Sequence, residues 1–172
     1  IWGLRLAWHI HTRSQGKPED YRYMAWRQAW GRWFYVRSYF QVYLLQGFFL
    51  FLIALPILMI NQAVDTPLGL LDFVGILVWL VGFFFEAASE WQYTRHPNYF
   101  GEVTLWWGIW LMACSVSGGW ISMIGPLTIT ILILKVSGIP LLEQKKAGNP
   151  EFEAYKKHVS KFFPRISFSK NT

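Results

Sequence analysis

Tyr93-Thr-Arg-His-Pro-Asn-Tyr-Phe-Gly-Glu102 is a polar island between long apolar runs. The chain before it carries no charge between Arg37 and Asp65, and residues 42–60 are long enough for one membrane helix of about 20 residues. Pro56 is expected to kink that helix near its far end. Residues 61–67 form a short turn, and a second span is expected over about 68–89, with Asp72 near its start and Glu86 and Glu90 near its end. After the island, the uncharged run 103–134 is too long for one helix, and Ser115-Val-Ser-Gly-Gly119 breaks it. Two further spans follow, about 100–117 and 120–137. The expected fold is therefore all-α: a polytopic membrane helix bundle with about four transmembrane helices plus interfacial helices.

Charge placement tests the four-span reading. Seven of the sixteen Lys and Arg precede the first span, Arg95 lies in the island, and eight occupy the end of the last span and the tail. The turns 61–67 and 115–119 hold none. Four spans put both turns on one side and the basic segments on the other, as the positive-inside rule asks; three or five spans break the pattern. The basic termini are thus expected on the cytoplasmic or matrix side.

Composition agrees. The chain of 172 residues is 53% hydrophobic and 15% charged, against about 25% charged in soluble domains. One membrane domain is expected, with a basic interfacial segment at 1–40, four spans within 41–138 and a basic amphipathic tail at 139–172. The net charge of +6 follows the topology, so membrane lipids and not nucleic acid are the expected partners. Lone Cys114 excludes a disulfide framework, and no metal site is expected, His9 and His11 having no further His nearby. Ile1-Trp-Gly-Leu-Arg has neither the n-region nor the cleavage site of a secretory signal. The first residue is not Met, and upstream residues are expected.

Residues 1–12 read as the tail of a helix and 14–20 as a loop. Trp26, Trp30 and Trp33, interleaved with Arg22, Arg27, Arg32 and Arg37, suit a helix at the head-group level. In the tail, Asn149 is placed to cap a helix opened by Pro150, Glu151 and Glu153. Phe152, Tyr155, Val159 and Phe162 then recur opposite Lys156, Lys157 and Lys161. Periodicity alone favours a membrane-surface anchor over a lid on the helix mouths.

This topology gathers Glu86, Glu90, Arg95, His96, Asn98, Tyr99, Glu102, Lys135, Ser137 and Glu143 on the basic side. Ionisable groups at membrane segments are costly, so together they suggest a functional site. Glu86 and Glu90 share a helix face, Glu102 lies one turn after Asn98, and Arg95, His96 and Lys135 are the expected partners of the carboxylates. Singly, each has a plainer role: His96-Pro97 as helix punctuation, Asn98 as a cap, and Glu102 as a favourable charge near a helix N-terminus. Gly101 allows a ligand or a neighbouring helix to approach the backbone.

Arg95-His-Pro-Asn-Tyr-Phe-Gly-Glu102, followed by Trp106-Trp107-Gly108, resembles the signature of the steroid 5-alpha-reductase superfamily, and most of all its bacterial-type, steroid-reductase-like branch. Lys135-Val-Ser-Gly-Ile-Pro-Leu-Leu-Glu143 is similar to that branch's second block. More distantly, the chain resembles isoprenylcysteine carboxyl methyltransferase, whose closing Glu…Tyr-x-x-Tyr…Pro pattern Glu143, Phe152, Tyr155 and Pro164 follow in part.

The resemblance implies a cofactor pocket at the cytosolic helix ends. It would hold NADPH for reduction of a carbon–carbon double bond in a lipid-like substrate, or S-adenosylmethionine in a methyltransferase. Glu90, Asn98, Glu102 and Trp106 match positions that bind the nicotinamide nucleotide. Arg95, His96, Tyr99 and Lys135 match less directly, and Glu86 and Glu143 complete the candidate set. No catalytic residue is assigned. Two departures matter: the family's loop between segments like Glu90-Trp-Gln92 and Tyr93-Thr-Arg-His96 is missing, and the upstream helices bearing the substrate-polarising acid and Tyr would precede Ile1. They leave a third expectation, a non-catalytic subunit assembled with other integral membrane proteins and holding no cofactor.

Overall fold

A computed structural model describes residues 8, 11–12, 15–16, 21–63, 67–87 and 94–164. The expectations for the helix tail at 1–12, for most of the loop at 14–20, for Glu90 and for the Gln92–Tyr93 junction lie wholly or largely outside these residues. Among the described residues every regular element is helical and no strand occurs. The chain divides into two units, Ile1–Gly47 and Phe48–Thr172.

In the first unit, helix α1 (Tyr21–Trp30) passes through a 3-10 turn (Gly31–Trp33) into α2 (Phe34–Ser38) and a π-helical stretch (Tyr39–Leu44). Arg and aromatic side chains interleave here as expected. The Arg27 guanidinium lies 4.4 Å from the Phe34 ring centroid, Arg37 lies 5.8 Å from that of Trp30, and the Trp26 and Trp30 rings stack at 5.4 Å. Trp33 and Tyr35 remain exposed, which suits a head-group environment better than a soluble core.

The second unit holds most of α3 (Leu45–Asn61), with α4 (Leu70–Ala87), α5 (Pro97–Ala113), a 3-10 turn (Gly119–Met123), α6 (Ile124–Ile131), a π stretch (Leu132–Val136), α7 (Ile139–Lys146) and α8 (Pro150–His158). Three helical runs are long and apolar enough to cross a membrane: Tyr23–Asn61, Leu70–Ala87 and Gly119–Lys146. The fourth expected span is the 17-residue α5, about 26 Å long at 1.5 Å per residue, close to a hydrocarbon core of about 30 Å. It sits at 97–113, not 100–117. Pro97 opens it, because Pro lacks only an N–H that the first turn leaves unpaired anyway. Just past its end, the Ser115 hydroxyl shares its one proton between the Met112 carbonyl at 2.7 Å and the Asp72 carboxylate. Pro56 is buried within α3 and does not end it.

The outward faces are apolar: Phe48, Phe51, Phe73, Leu77, Leu80 and Phe84 are all exposed. Lipid, not protein, is the natural neighbour of such surfaces, so this is an all-α membrane bundle. Because lipid tails are as apolar as Leu, the helices are held by close packing. Gly75 and Gly82 on α4 face Gly108 and Gly101 on the antiparallel α5. A methyl added at Gly75 would lie 2.8 Å from the Gly108 carbonyl oxygen, and one added at Gly82 would lie 2.8 Å from that of Gly101. At the turn end the buried Asp72 carboxylate accepts from the Gly69 N–H and the Ser115 hydroxyl, both at 2.8 Å, tying the 113–119 turn to the start of α4.

Candidate functional site

The α4–α5 glycine contacts fix what stands at the other end. Gly101 packs on the Glu86 backbone: a methyl there would meet the Glu86 amide and come within 2.9 Å of its Cα. The sequence left Gly101 to a ligand or a helix, and the structure gives it to a helix. Exposed Glu86 and half-buried Glu102 lie within electrostatic reach of each other at the resulting mouth.

The chain enters α5 through Thr94, Arg95 and His96. His96 is the non-helical residue before Pro97 and makes no side-chain cap, so the punctuation reading holds for the dipeptide. Asn98 is not a cap; it lies inside the first turn and is exposed. Glu102 is beyond that turn, so a helix-terminus role does not account for it.

The expected partners are corrected here. Among the described residues Arg95 and His96 pair with Glu143 of α7, and not with Glu86 or Glu102. Glu143 Oε1 is 2.8 Å from Arg95 Nη1 and 3.2 Å from His96 Nε2. The Arg95 side chain is only 10% exposed and that of Glu143 17%. Nη1, although close to Glu143, lacks hydrogen-bond alignment, and Nε has no hydrogen-bond partner. Two of the three guanidinium nitrogens are therefore buried with unused donor capacity, which is costly for a polar group. His96 is 3% exposed, and its ring stacks with Tyr99 at 5.8 Å. Burial is the main cause that holds its pKa below 6.5, against the opposing pull of Glu143.

The tail also differs from the expectation. Asn149 does cap α8, its Oδ1 accepting from the Glu151 N–H at 2.9 Å. The segment after α8, however, docks on the island and does not simply lie at a surface. The Arg95 N–H donates to the Ser160 carbonyl at 2.9 Å. The Thr94 hydroxyl, 1% exposed, lies 3.4 Å from the carbonyls of Ser160 and Lys161. Phe162 enters a cluster with Val103, Ile133 and Ile139, against Tyr99 and Phe100. This segment therefore packs against the helix ends and is not a surface anchor alone. Thr94 was missed in the sequence, because a bond to backbone 66 residues away leaves no local pattern.

Of the remaining candidates, Trp106 is half-buried one turn beyond Glu102. Lys135 and Ser137 are exposed at the end of the π stretch, and Lys135 makes no ion pair among the described residues. The structure thus brings Arg95, His96, Tyr99 and Glu143 together and Glu86 near Glu102. It leaves Asn98 and Lys135 exposed, and Glu90 lies outside the described residues.

Comparison with known proteins places this chain in a family. A protein of Schizosaccharomyces pombe described as uncharacterized is 21% identical over 222 aligned positions, which take in 98% of this chain and 62% of that protein. The chain therefore spans about three fifths of that relative's length. With 172 residues here and 222 aligned positions, at least 50 positions have no counterpart in this chain. No solved structure matches. One family model matches in two stretches, residues 1–92 and 90–159, that meet where the sequence reading placed the missing loop. By that match the chain belongs to the family described as Protein of unknown function (DUF1295), which is related to steroid 5-alpha-reductase-like proteins.

Proposed function

We propose that this membrane protein is a reductase of the bacterial-type, steroid-reductase-like branch, binding NADPH at the basic helix mouths and acting on a carbon–carbon double bond of a lipid. The observation that carries this reading is the buried Arg95 guanidinium with unused donors on two nitrogens. A planar guanidinium that its Glu143 ion pair does not fully satisfy suits phosphate oxygens. The Glu86–Glu102 pair offers carboxylate acceptors for ribose hydroxyls or a carboxamide. These residues fit a phosphate-bearing nucleotide. When bound, NADPH supplies a hydride. Asn98 and Glu102 orient its nicotinamide end, Arg95 neutralises phosphate, and the docked 159–163 segment excludes water from the mouth. The basic ends face the cytoplasm or matrix.

A second reading is a non-catalytic subunit of a membrane complex. Two observations favour it: Arg95 already has an internal counter-charge, and the tail already covers the island. NADPH titration of the protein in nanodiscs separates the two, with tryptophan-to-nicotinamide energy transfer as the signal and S-adenosylmethionine as competitor. Saturable NADPH binding that S-adenosylmethionine does not displace is expected. Displacement would transfer the site to a methyltransferase, and no binding of either would leave the subunit reading.

A further inference from the structure

Glu143 has a role that charge pairing alone does not explain. A single oxygen, Oε1, serves both Arg95 and His96. A carboxylate matched to arginine usually makes two parallel hydrogen bonds. Here Nη1 is close but misaligned, and Nε, on the same buried group, has no acceptor. The pair is therefore a charge contact that leaves much of the guanidinium unsatisfied. A structural ion pair selected only for stability would be expected to satisfy it, since an incompletely bonded buried charge is costly.

We propose that the Glu143 carboxylate occupies the anion position formed by Arg95 and His96, and competes with a phosphate-bearing ligand for it. A phosphate group brings more oxygens and more charge than one carboxylate, and can take the position facing Arg95 Nη1 and His96 Nε2 that Glu143 Oε1 holds. The exchange needs no refolding. Glu143 lies in the short α7, whose Ile139 is fully buried and anchors the helix, so only the side chain has to rotate outward. The tail clamp uses the Arg95 backbone N–H and the Thr94 hydroxyl, neither of which Glu143 touches. Binding at Arg95 and docking of residues 159–163 are thus compatible. The consequence is selectivity: a weak or singly charged anion does not displace Glu143, and a pyrophosphate-like group does. This inference deepens the cofactor reading and rests on it for the identity of the natural ligand, but its chemistry is testable without NADPH.

The test compares wild-type protein, Glu143→Gln and the double variant Arg95→Gln/Glu143→Gln in nanodiscs, with inorganic pyrophosphate as the probe. An internal competitor lowers apparent affinity by the fraction of time it occupies the site, so removing it is expected to tighten pyrophosphate by about tenfold or more. The double variant is expected to lose that gain. Unchanged or weaker binding by folded Glu143→Gln overturns the inference. If Glu143→Gln does not fold, Glu143→Asp, which shortens the reach and keeps the charge, carries the same comparison. NADPH is titrated alongside. NADPH binding by the wild type with no pyrophosphate gain in the variant sinks the inference and keeps the cofactor reading. A pyrophosphate gain with no NADPH binding in any protein sinks the cofactor reading and keeps the competitor.

Discussion

Gly101→Ala tests whether backbone contact between α4 and α5 holds the site together. The added methyl would lie 2.6 Å from the Gly82 carbonyl oxygen and 2.9 Å from the Glu86 Cα, where van der Waals contact needs about 3.5 Å. Both neighbours are backbone, so no side chain can rotate away and the helices must part by more than about half an ångström. Overpacking of this kind costs about 1–3 kcal/mol, and rigid contacts on two sides argue for the upper end. Alanine also gains about 1 kcal/mol of helix propensity over glycine. The net expectation is destabilisation by about 2 kcal/mol. Gly47→Ala is the internal control, because a methyl there meets nothing within 4 Å, so propensity alone acts and stability rises by up to about 1 kcal/mol. Reversible unfolding of both variants in the same mixed micelles reads the difference. Opposite signs are expected. Equal or greater stability of Gly101→Ala than wild type refutes the close-packing argument and, with it, the placement of Glu86 beside Glu102.

Other outcomes follow from the same contacts. Asn149→Ala removes the α8 cap and is expected to cost about 1 kcal/mol, read as faster amide exchange over 150–158, whereas Asn149→Asp preserves it. Ser115→Ala leaves Asp72 with the Gly69 N–H alone and is expected to cost about 1.5–3 kcal/mol; in a cycle with Asp72→Asn, most of that loss is not additive. Folding lowers the His96 pKa below 6.5, so the unfolded chain binds the proton more readily. Stability therefore falls as pH drops through about 6.5, until the folded value is passed and the loss levels off. His96→Asn is expected to flatten that slope, and an unchanged slope would mean that another group titrates.

The helices were legible in sequence because charge-free runs and glycine breaks are local signals. The 115–119 break, the α8 cap and the all-helical membrane class come straight from such patterns. Boundaries shifted where side chains decide them, as when Pro97 opens α5. The candidate site was legible as a set but not as pairs. Arg95 and Glu143 are 48 residues apart, and no periodicity says which carboxylate a cation will choose. The topology puts Glu86, Glu102 and Glu143 on the same side, and only packing separates the mouth pair from the Arg95 partner. The tail's amphipathic spacing described a surface helix well but did not show that the segment beyond His158 turns back onto Thr94.

The central claim is that Arg95 anchors a phosphate-bearing cofactor. The most direct measurement is the ratio of NADPH dissociation constants for wild type and Arg95→Gln in nanodiscs at matched ionic strength. Saturable binding by the wild type is expected, with a loss of about tenfold to a hundredfold in the variant, the range for removing a charged hydrogen-bond partner. Equal affinity in the two proteins would contradict it, and so would no binding by either.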